Sequence, residues 1–207
     1  MGKYTTNLPV NGKFSVTAIY GQSGPLWKNG HKGIDIVSQD KTIYSVCDGE
    51  VTVVSYDKDG WGRYVSIMPQ GFERIRIILC HLKEGSVKLK KGDRVSRLSK
   101  IGTMGTTGNS TGVHLHIEMR VDNTPVDISS YLGIDNKIKK DLVDTDFKVD
   151  GKNQSQMLTE ILNTFDKKGN FTDYEKEISN LKKELSDAQS ELKKAEAKIS
   201  AVKKLLA

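Results

Sequence analysis

Residues 50–82, EVTVVSYDKDGWGRYVSIMPQGFERIRIILCHL, alternate short strand-favouring runs with turn signals. The runs 50–55, 64–68 and 75–79 are rich in valine, isoleucine and tyrosine, which favour β-strands. Asp59-Gly60 lies between the first two runs and is a strong signal for a tight hairpin. This stretch therefore predicts neighbouring antiparallel strands.

The same pattern extends on both sides of this stretch. Glycines recur throughout residues 14–132, where they would interrupt helices, and further strand-like runs lie at 43–46 and 114–121. Lys91-Gly92-Asp93 indicates another turn. We predict a mainly β domain over residues 1–132, an antiparallel sheet or barrel-like sandwich with a groove.

The last third of the chain has a different character. Residues 133–170 are rich in lysine, aspartate and asparagine and predict a polar linker with one short helix at 156–165. Residues 171–207 lack glycine and proline and carry apolar residues at alternating spacings of three and four, which predicts a C-terminal α-helical coiled coil. A lone helix would leave this stripe in water, so we expect self-association or a foreign partner; the alternative is packing against the chain's own domain.

Composition excludes several classes of protein. The formal net charge is +6, and residues 1–132 hold 17 lysines and arginines against 12 acidic residues, or +5. A basic domain favours polyanions, but no dense aromatic or Lys/Arg recognition element accompanies the charge, so we predict no nucleic-acid binding. The longest apolar run, 75–79, is far shorter than the roughly 20 residues that span a bilayer, so we predict no membrane insertion.

The termini and cysteines give two further expectations. The N-terminal residues 1–9 lack the apolar region of a secretory signal, which predicts synthesis in the cytoplasm without a signal peptide. The chain's two cysteines, Cys47 and Cys80, exclude a disulfide framework and a four-cysteine zinc site and leave one bridge between them open.

All four histidines lie in the β-rich part, at positions 31, 81, 114 and 116. His114 and His116 are two apart in a strand-like run and project from one face. His31 and Asp35 can share a metal only if the chain bends between them, and we expect Gly33 to permit this because glycine tolerates a positive φ and brings no side chain into the site. A catalytic zinc takes three protein ligands, which His31, Asp35 and one of His114 or His116 would supply. The remaining imidazoles would serve proton transfer.

Three motifs in this order resemble the lysostaphin-type zinc peptidases, which cleave peptidoglycan. They are GHKGIDI at 30–36, CHL at 80–82 and TGNSTGVHLHIE at 107–118, and the resemblance covers residues 14–132. It implies that His31, Asp35 and His116 bind one Zn²⁺ per chain and that His81 and His114 are catalytic. It also implies attack of a zinc-activated water on a peptide bond.

The resemblance implies a zinc endopeptidase acting on peptidoglycan cross-bridges or stem peptides. Without a signal peptide, such an enzyme suits phage lysis after holin-type release or a virion component that opens the wall. The heptads at 171–207 would then form a homo-oligomer or bind a phage structural partner. The alternative is a non-enzymatic phage assembly protein that uses the coiled coil, with the β domain as a wall-binding module.

Overall fold

The structure is a computed structural model that describes residues 7–25, 27–143, 154–167, 183 and 186–194. The chain divides into two compact units, residues 1–161 and residues 162–207. The first unit contains the predicted β domain. The second contains the end of one helix and further helical residues at 183 and 186–194.

The elements of the described residues follow the chain from a first strand to a last helix. They are β1 (Lys13–Ala18), β2 (Ile34–Ser38), β3 (Thr42–Tyr44), β4 (Gly49–Asp57), β5 (Gly62–Pro69), β6 (Ile75–Leu82), β7 (Arg94–Val95), β8 (Lys100–Thr103), β9 (Leu115–Val121), β10 (Thr124–Val126), α1 (Ser129–Leu132), β11 (Lys139–Val143) and α2 (Gln154–Lys167).

The main sheet is antiparallel throughout, with strand order β11-β1-β2-β9-β6-β5-β4-β7 and with β10 paired to β9. Strands β3 and β8 form a separate antiparallel pair. The prediction of a mainly β antiparallel domain is confirmed. The hairpin signal is also confirmed, because the carboxylate of Asp57 accepts hydrogen bonds from the backbone N–H groups of Asp59 and Trp61 in the turn between β4 and β5.

Strands β2, β9 and β6 lie side by side in the middle of this sheet and are buried along almost their whole length. Outer strands such as β4 alternate between buried and exposed positions instead. A strand covered on both faces favours apolar residues at nearly every position, as the run in β6 shows. In β9, by contrast, His116, Glu118 and Arg120 alternate with apolar residues. Any polar side chain on these central strands is therefore held in a fixed, largely dry environment.

Two helices, α1 and α2, lie on either side of β11 in the last part of the described chain. Helix α1 ends at Gly133, whose φ of 74° is the left-handed conformation common after helices. Helix α2 contains the short helix predicted at 156–165, and the side-chain amide of Gln154 donates to Asn7 and to the carbonyl of Val46. Among the described helices, none is long and apolar enough to cross a membrane.

Most of the predicted coiled coil, 171–207, lies outside the described residues. Leu192, a described member of its apolar stripe, is 60% exposed. The predicted boundaries after residues 132 and 170 stay predictions. Cys47 and Cys80 are both buried and free, so the bridge between them is not formed.

Gly33 matters for one of the two reasons we expected. Its φ is not among the positive values of the described glycines, so the expected positive φ is wrong. A Cβ at this position would instead lie 2.3 Å from the carbonyl oxygen of Ile117 and 2.9 Å from Cε1 of His116. The glycine allows the chain before β2 to approach β9 closely.

We expect Gly33→Ala to destabilise the first unit by about 1–3 kcal/mol, because the methyl group overlaps backbone that cannot easily move. The urea midpoint, followed by tryptophan fluorescence, measures the effect, since both tryptophans of the chain lie in the first unit. Gly24→Ala is the matched control, because a Cβ there meets nothing within 4 Å. An unchanged midpoint for Gly33→Ala would contradict this explanation.

Candidate active site

The register of the central strands brings the first two candidate ligands together. Asp35 in β2 is paired with His116 in β9, and His116 is paired with Cys80 in β6. Residues directly opposite one another in an antiparallel sheet project from the same face. Asp35 and His116 therefore start from neighbouring positions on one face, and His31 reaches them from the segment just before β2.

One donor atom from each of these three residues lies close to the other two. Nε2 of His31 lies 3.0 Å from Nδ1 of His116 and 3.2 Å from Oδ1 of Asp35, and Nδ1 of His116 lies 2.8 Å from that same oxygen. All three residues are buried. Donor atoms around a tetrahedral zinc with bonds of about 2.0 Å lie about 3.3 Å apart. The three atoms are therefore close to the separations that one zinc ion requires.

The hydrogen-bond partners outside this cluster orient both imidazoles. Nδ1 of His31 lies 3.0 Å from the carbonyl oxygen of Ile19, which can only accept, so Nδ1 donates and Nε2 presents a lone pair to the cluster. Nε2 of His116 lies 3.0 Å from Oε1 of Glu118 and donates to it, which leaves Nδ1 for the cluster. Such outer partners are typical of metal-binding histidines. The residues present thus fit a divalent metal.

The ionisation of the cluster also favours a cation. Burial raises the pKa of Asp35, but the hydrogen bonds with His116 and His31 outweigh burial and hold that pKa well below its usual range. Burial lowers the pKa of His116, yet its hydrogen bonds to Asp35 and Glu118 outweigh burial and raise it to about 9. A proton and a metal ion would compete for the same nitrogen of His116.

His81 reaches the site through an irregularity in β6. The register between β5 and β6 shifts at this end of the strands, and His81 has a φ of 58°. This conformation interrupts the alternation that would otherwise point His81 away from the face used by Cys80. Its Nδ1 donates to the carbonyl of Thr107 at 2.8 Å, and burial lowers its pKa to about 4. His81 is therefore neutral near pH 7, with Nε2 free of that bond.

His114 lies just before β9, next to the cluster. Its Nδ1 donates to the carbonyl of Gly112 at 2.8 Å, and its Nε2 lies 3.8 Å from Oδ1 of Asp35. The rings of His114 and His81 are 4.7 Å apart between centroids. Two imidazoles therefore stand beside the ligand cluster, each held through Nδ1 by a backbone carbonyl.

These side chains line a pocket of about 240 Å³ that Trp27 and Trp61 also line. Trp27 contacts His31, with ring centroids 4.6 Å apart, while Trp61 lies in the turn between β4 and β5. The turn and the start of β5 are in backbone contact with residues 107–109. A Cβ on Gly62 would lie 2.2 Å from the carbonyl oxygen of Thr107, one on Gly108 would lie 2.2 Å from the nitrogen of Gly62, and the N–H of Asn109 donates to the carbonyl of Gly60.

Comparison with known proteins identifies the domain that carries this pocket. Residues 29–128 match the sequence profile of peptidase family M23. The matched range includes His31, Asp35, His81, His114 and His116. The segment that carries the pocket is thus similar to the M23 peptidases, and it is called the M23 domain.

Similar proteins share the M23 domain and little else of their length. A metalloprotease of uncharacterised function from Haemophilus influenzae is 38% identical over 97 residues, which cover 46% of this chain and 20% of that protein. Peptidoglycan DD-endopeptidase ShyB from Vibrio cholerae is 38% identical over 98 residues, or 47% of this chain and 22% of that protein. The chain thus spans about a fifth of the length of these relatives.

Two solved structures resemble the M23 domain in fold. A zinc-containing peptidase from Vibrio cholerae superposes with a TM-score of 0.51 and 30% identity, covering 60% of this chain and 39% of the other. The catalytic domain of lysostaphin from Staphylococcus simulans superposes with a TM-score of 0.52 over 57% of this chain and 92% of its own, at 23% identity.

The M23 domain brings all five predicted site residues into one pocket. The structure adds residues to which the sequence analysis gave no role. Thr107 receives the hydrogen bond of His81, and Glu118 receives that of His116. Both lie in the quoted motif at 107–118, so their position in that motif was the signal that could have identified them.

Proposed function

We propose that this chain is a zinc-dependent endopeptidase that hydrolyses amide bonds in the cross-bridges or stem peptides of bacterial peptidoglycan. The observation that carries the proposal is the meeting of three buried metal-ligand atoms within 3.2 Å of one another, with two further imidazoles beside them in one pocket. The match of residues 29–128 to peptidase family M23 supports a peptidase. Two histidines and one carboxylate with a position left for water are typical of catalytic zinc.

His31, Asp35 and His116 would hold the metal. When bound, zinc polarises the carbonyl under attack and lowers the pKa of a water in its open coordination position. His114 and His81 both engage Nδ1 with backbone carbonyls, so each directs Nε2 elsewhere as a proton acceptor. The imidazole that receives the proton of the attacking water then becomes the donor for the leaving amine. We assign the acceptor role to His114, since its Nε2 lies 3.8 Å from the ligand oxygen of Asp35.

Relatives favour one class of amide bond. ShyB and a second Vibrio cholerae relative, ShyA, which is 37% identical over 97 residues, are peptidoglycan DD-endopeptidases. We therefore propose the D,D amide bond of stem-peptide cross-links as the substrate, ahead of glycine bridges. The tryptophans of the pocket, together with Asn109 and Ser110, offer stacking faces and hydrogen-bonding groups for a peptide.

The test combines metal content with bond cleavage by the purified chain. We expect about one zinc per chain by elemental analysis and cleavage of a purified D,D-cross-linked muropeptide dimer, with little cleavage of pentaglycine, both followed by mass spectrometry. Cleavage of pentaglycine alone would contradict the D,D assignment. Zinc binding without cleavage of either peptide would support the non-enzymatic alternative, in which the β domain only binds the wall. If the chain neither binds zinc nor cleaves either peptide, the proposal of a zinc enzyme is refuted.

We propose further that residues 171–207 form a coiled coil, either between copies of this chain or with a phage structural protein. The heptad pattern and the exposure of Leu192 support this proposal. Sedimentation velocity of the whole chain tests self-association. A monomer at micromolar concentration would contradict a coiled coil between copies of this chain.

The proposed route to the wall is phage lysis after holin-type release, or wall opening by a virion. Its support comes from the sequence alone. Mass spectrometry of purified virions and of infected-cell lysates tests it. Recovery in virions supports the second route, recovery in lysates alone supports the first, and absence from both contradicts the proposal.

A further inference from the structure

We propose that Glu118 is a positioning residue that fixes the ring orientation and tautomer of His116, so that Nδ1 of His116 faces the metal. This inference rests on the proposed function, because it assigns His116 to zinc. Glu118 itself touches neither the metal ligands' donor atoms nor Asp35 in this arrangement. It acts through Nε2 of His116, the ring nitrogen that faces away from the ligand cluster.

The position of Glu118 on β9 makes this contact natural. It lies two residues after His116, so both side chains project from the same face of the strand. Oε1 of Glu118 accepts a hydrogen bond from Nε2 of His116 at 3.0 Å. A carboxylate can only accept. With Nδ1 of His116 assigned to the metal beside Asp35, Glu118 therefore holds the hydrogen of a neutral His116 on Nε2. A histidine in the other tautomer would present an N–H group to the metal and could not bind it.

Glu118 is itself held by two further donors. The indole Nε1 of Trp61 donates to Oε1 at 2.9 Å, and Nε of Arg120 donates to Oε2 at 2.7 Å. The guanidinium of Arg120 also lies over the ring of Trp61, 5.0 Å from its centroid. With a side chain only 3% exposed, Glu118 has little room to turn. Arg120 balances its charge, which makes a buried carboxylate tolerable at this place.

The arrangement connects a metal ligand to a wall of the pocket. Trp61 lines the pocket and shares Oε1 of Glu118 with His116. Removing the indole N–H leaves Glu118 with its hydrogen bonds to His116 and Arg120. It takes away the second donor that fixes the position of Oε1. Trp61 therefore helps to position His116 indirectly, through Glu118. Its loss should weaken zinc binding less than the loss of the Glu118 carboxylate does.

Glu118→Gln tests the inference, because it keeps the size of the side chain and removes the charge. An amide can accept from Nε2 or donate to it, so it no longer selects one tautomer. We expect the dissociation constant for zinc to rise about 10–100-fold, measured by competition with a chromophoric chelator. We expect long-range ¹H–¹⁵N spectra of the zinc-loaded chain to show a displaced Nε2–H signal for His116, because that hydrogen no longer faces a carboxylate. Trp61→Phe should raise the dissociation constant by a smaller factor.

Glu84→Gln is the matched control, since Glu84 makes an exposed ion pair with Arg63 away from the pocket. Circular dichroism checks that each variant is folded, and Trp61→Phe supplies a second variant should Glu118→Gln unfold. Wild-type zinc affinity in folded Glu118→Gln would overturn the inference and leave the proposed function intact. Failure of the wild-type chain to bind zinc would instead refute the proposed function, because these measurements involve no peptide cleavage.

Discussion

Replacing His116 with alanine is expected to remove bound zinc and to lower the rate of cross-link cleavage by about 10³-fold or more. His116 supplies one of three donor atoms, and its Nδ1 lies within 3.0 Å of both others. Two remaining donors hold zinc poorly. A metal contributes several kcal/mol to stabilising the transition state, and each 1.4 kcal/mol corresponds to a factor of ten in rate.

Elemental analysis and the muropeptide assay on the same preparation measure both effects. The substitution also removes one hydrogen bond from each of the buried carboxylates of Asp35 and Glu118, so the urea midpoint must be measured alongside. Lys88→Ala, at an exposed position, serves as control. Cleavage at the wild-type rate by a folded His116→Ala chain would refute the assignment of His116 as a zinc ligand.

Replacing His81 or His114 with alanine is expected to give a different outcome, in which zinc stays at about one per chain while the cleavage rate falls about 10²–10⁴-fold. Neither imidazole belongs to the cluster of three donor atoms. Each is anchored through Nδ1 to a backbone carbonyl, at Thr107 for His81 and at Gly112 for His114. Their removal therefore takes away proton transfer without taking away a ligand.

The ratio of zinc content to activity separates the two groups of histidines. Each variant is dialysed against a zinc buffer and assayed at saturating zinc, so that a small loss of affinity does not reduce the rate. A variant of His81 or His114 that loses zinc at saturation would move that residue into the ligand set. A variant that keeps the full rate would remove it from the catalytic set.

The fold was predictable where local sequence determines it. The strands β4, β5 and β6 and the turn at Asp59-Gly60 depend on β-favouring residues and on a two-residue turn signal that the chain carries locally. Strands β7 and β11 were not predicted, because both are short or polar and exist only through pairing with distant strands. Pairing of this kind leaves no periodic pattern in the sequence.

The candidate site shows the same division between local and distant information. His31 with Asp35, and His114 with His116, were identifiable because each pair lies within five residues. The role of Thr107 depends on a contact 26 residues away along the chain, and that of Trp61 on one 57 residues away. For Gly33 the expected positive φ was wrong, and the atom that excludes a side chain there could not be named from local sequence, since it belongs to Ile117 on another strand.

The backbone contact between Gly62 and Gly108 divides the pocket into a constrained wall and a permissive one. A side chain at either glycine would overlap backbone of the other segment, so neither segment can change length or residue size without displacing its neighbour. At Gly24, three residues before the pocket residue Trp27, φ is not positive and a Cβ meets nothing within 4 Å. As related chains diverge, differences in peptide preference should therefore accumulate around Gly24. The same positions are the first to change when altering the peptide preference of the proposed peptidase.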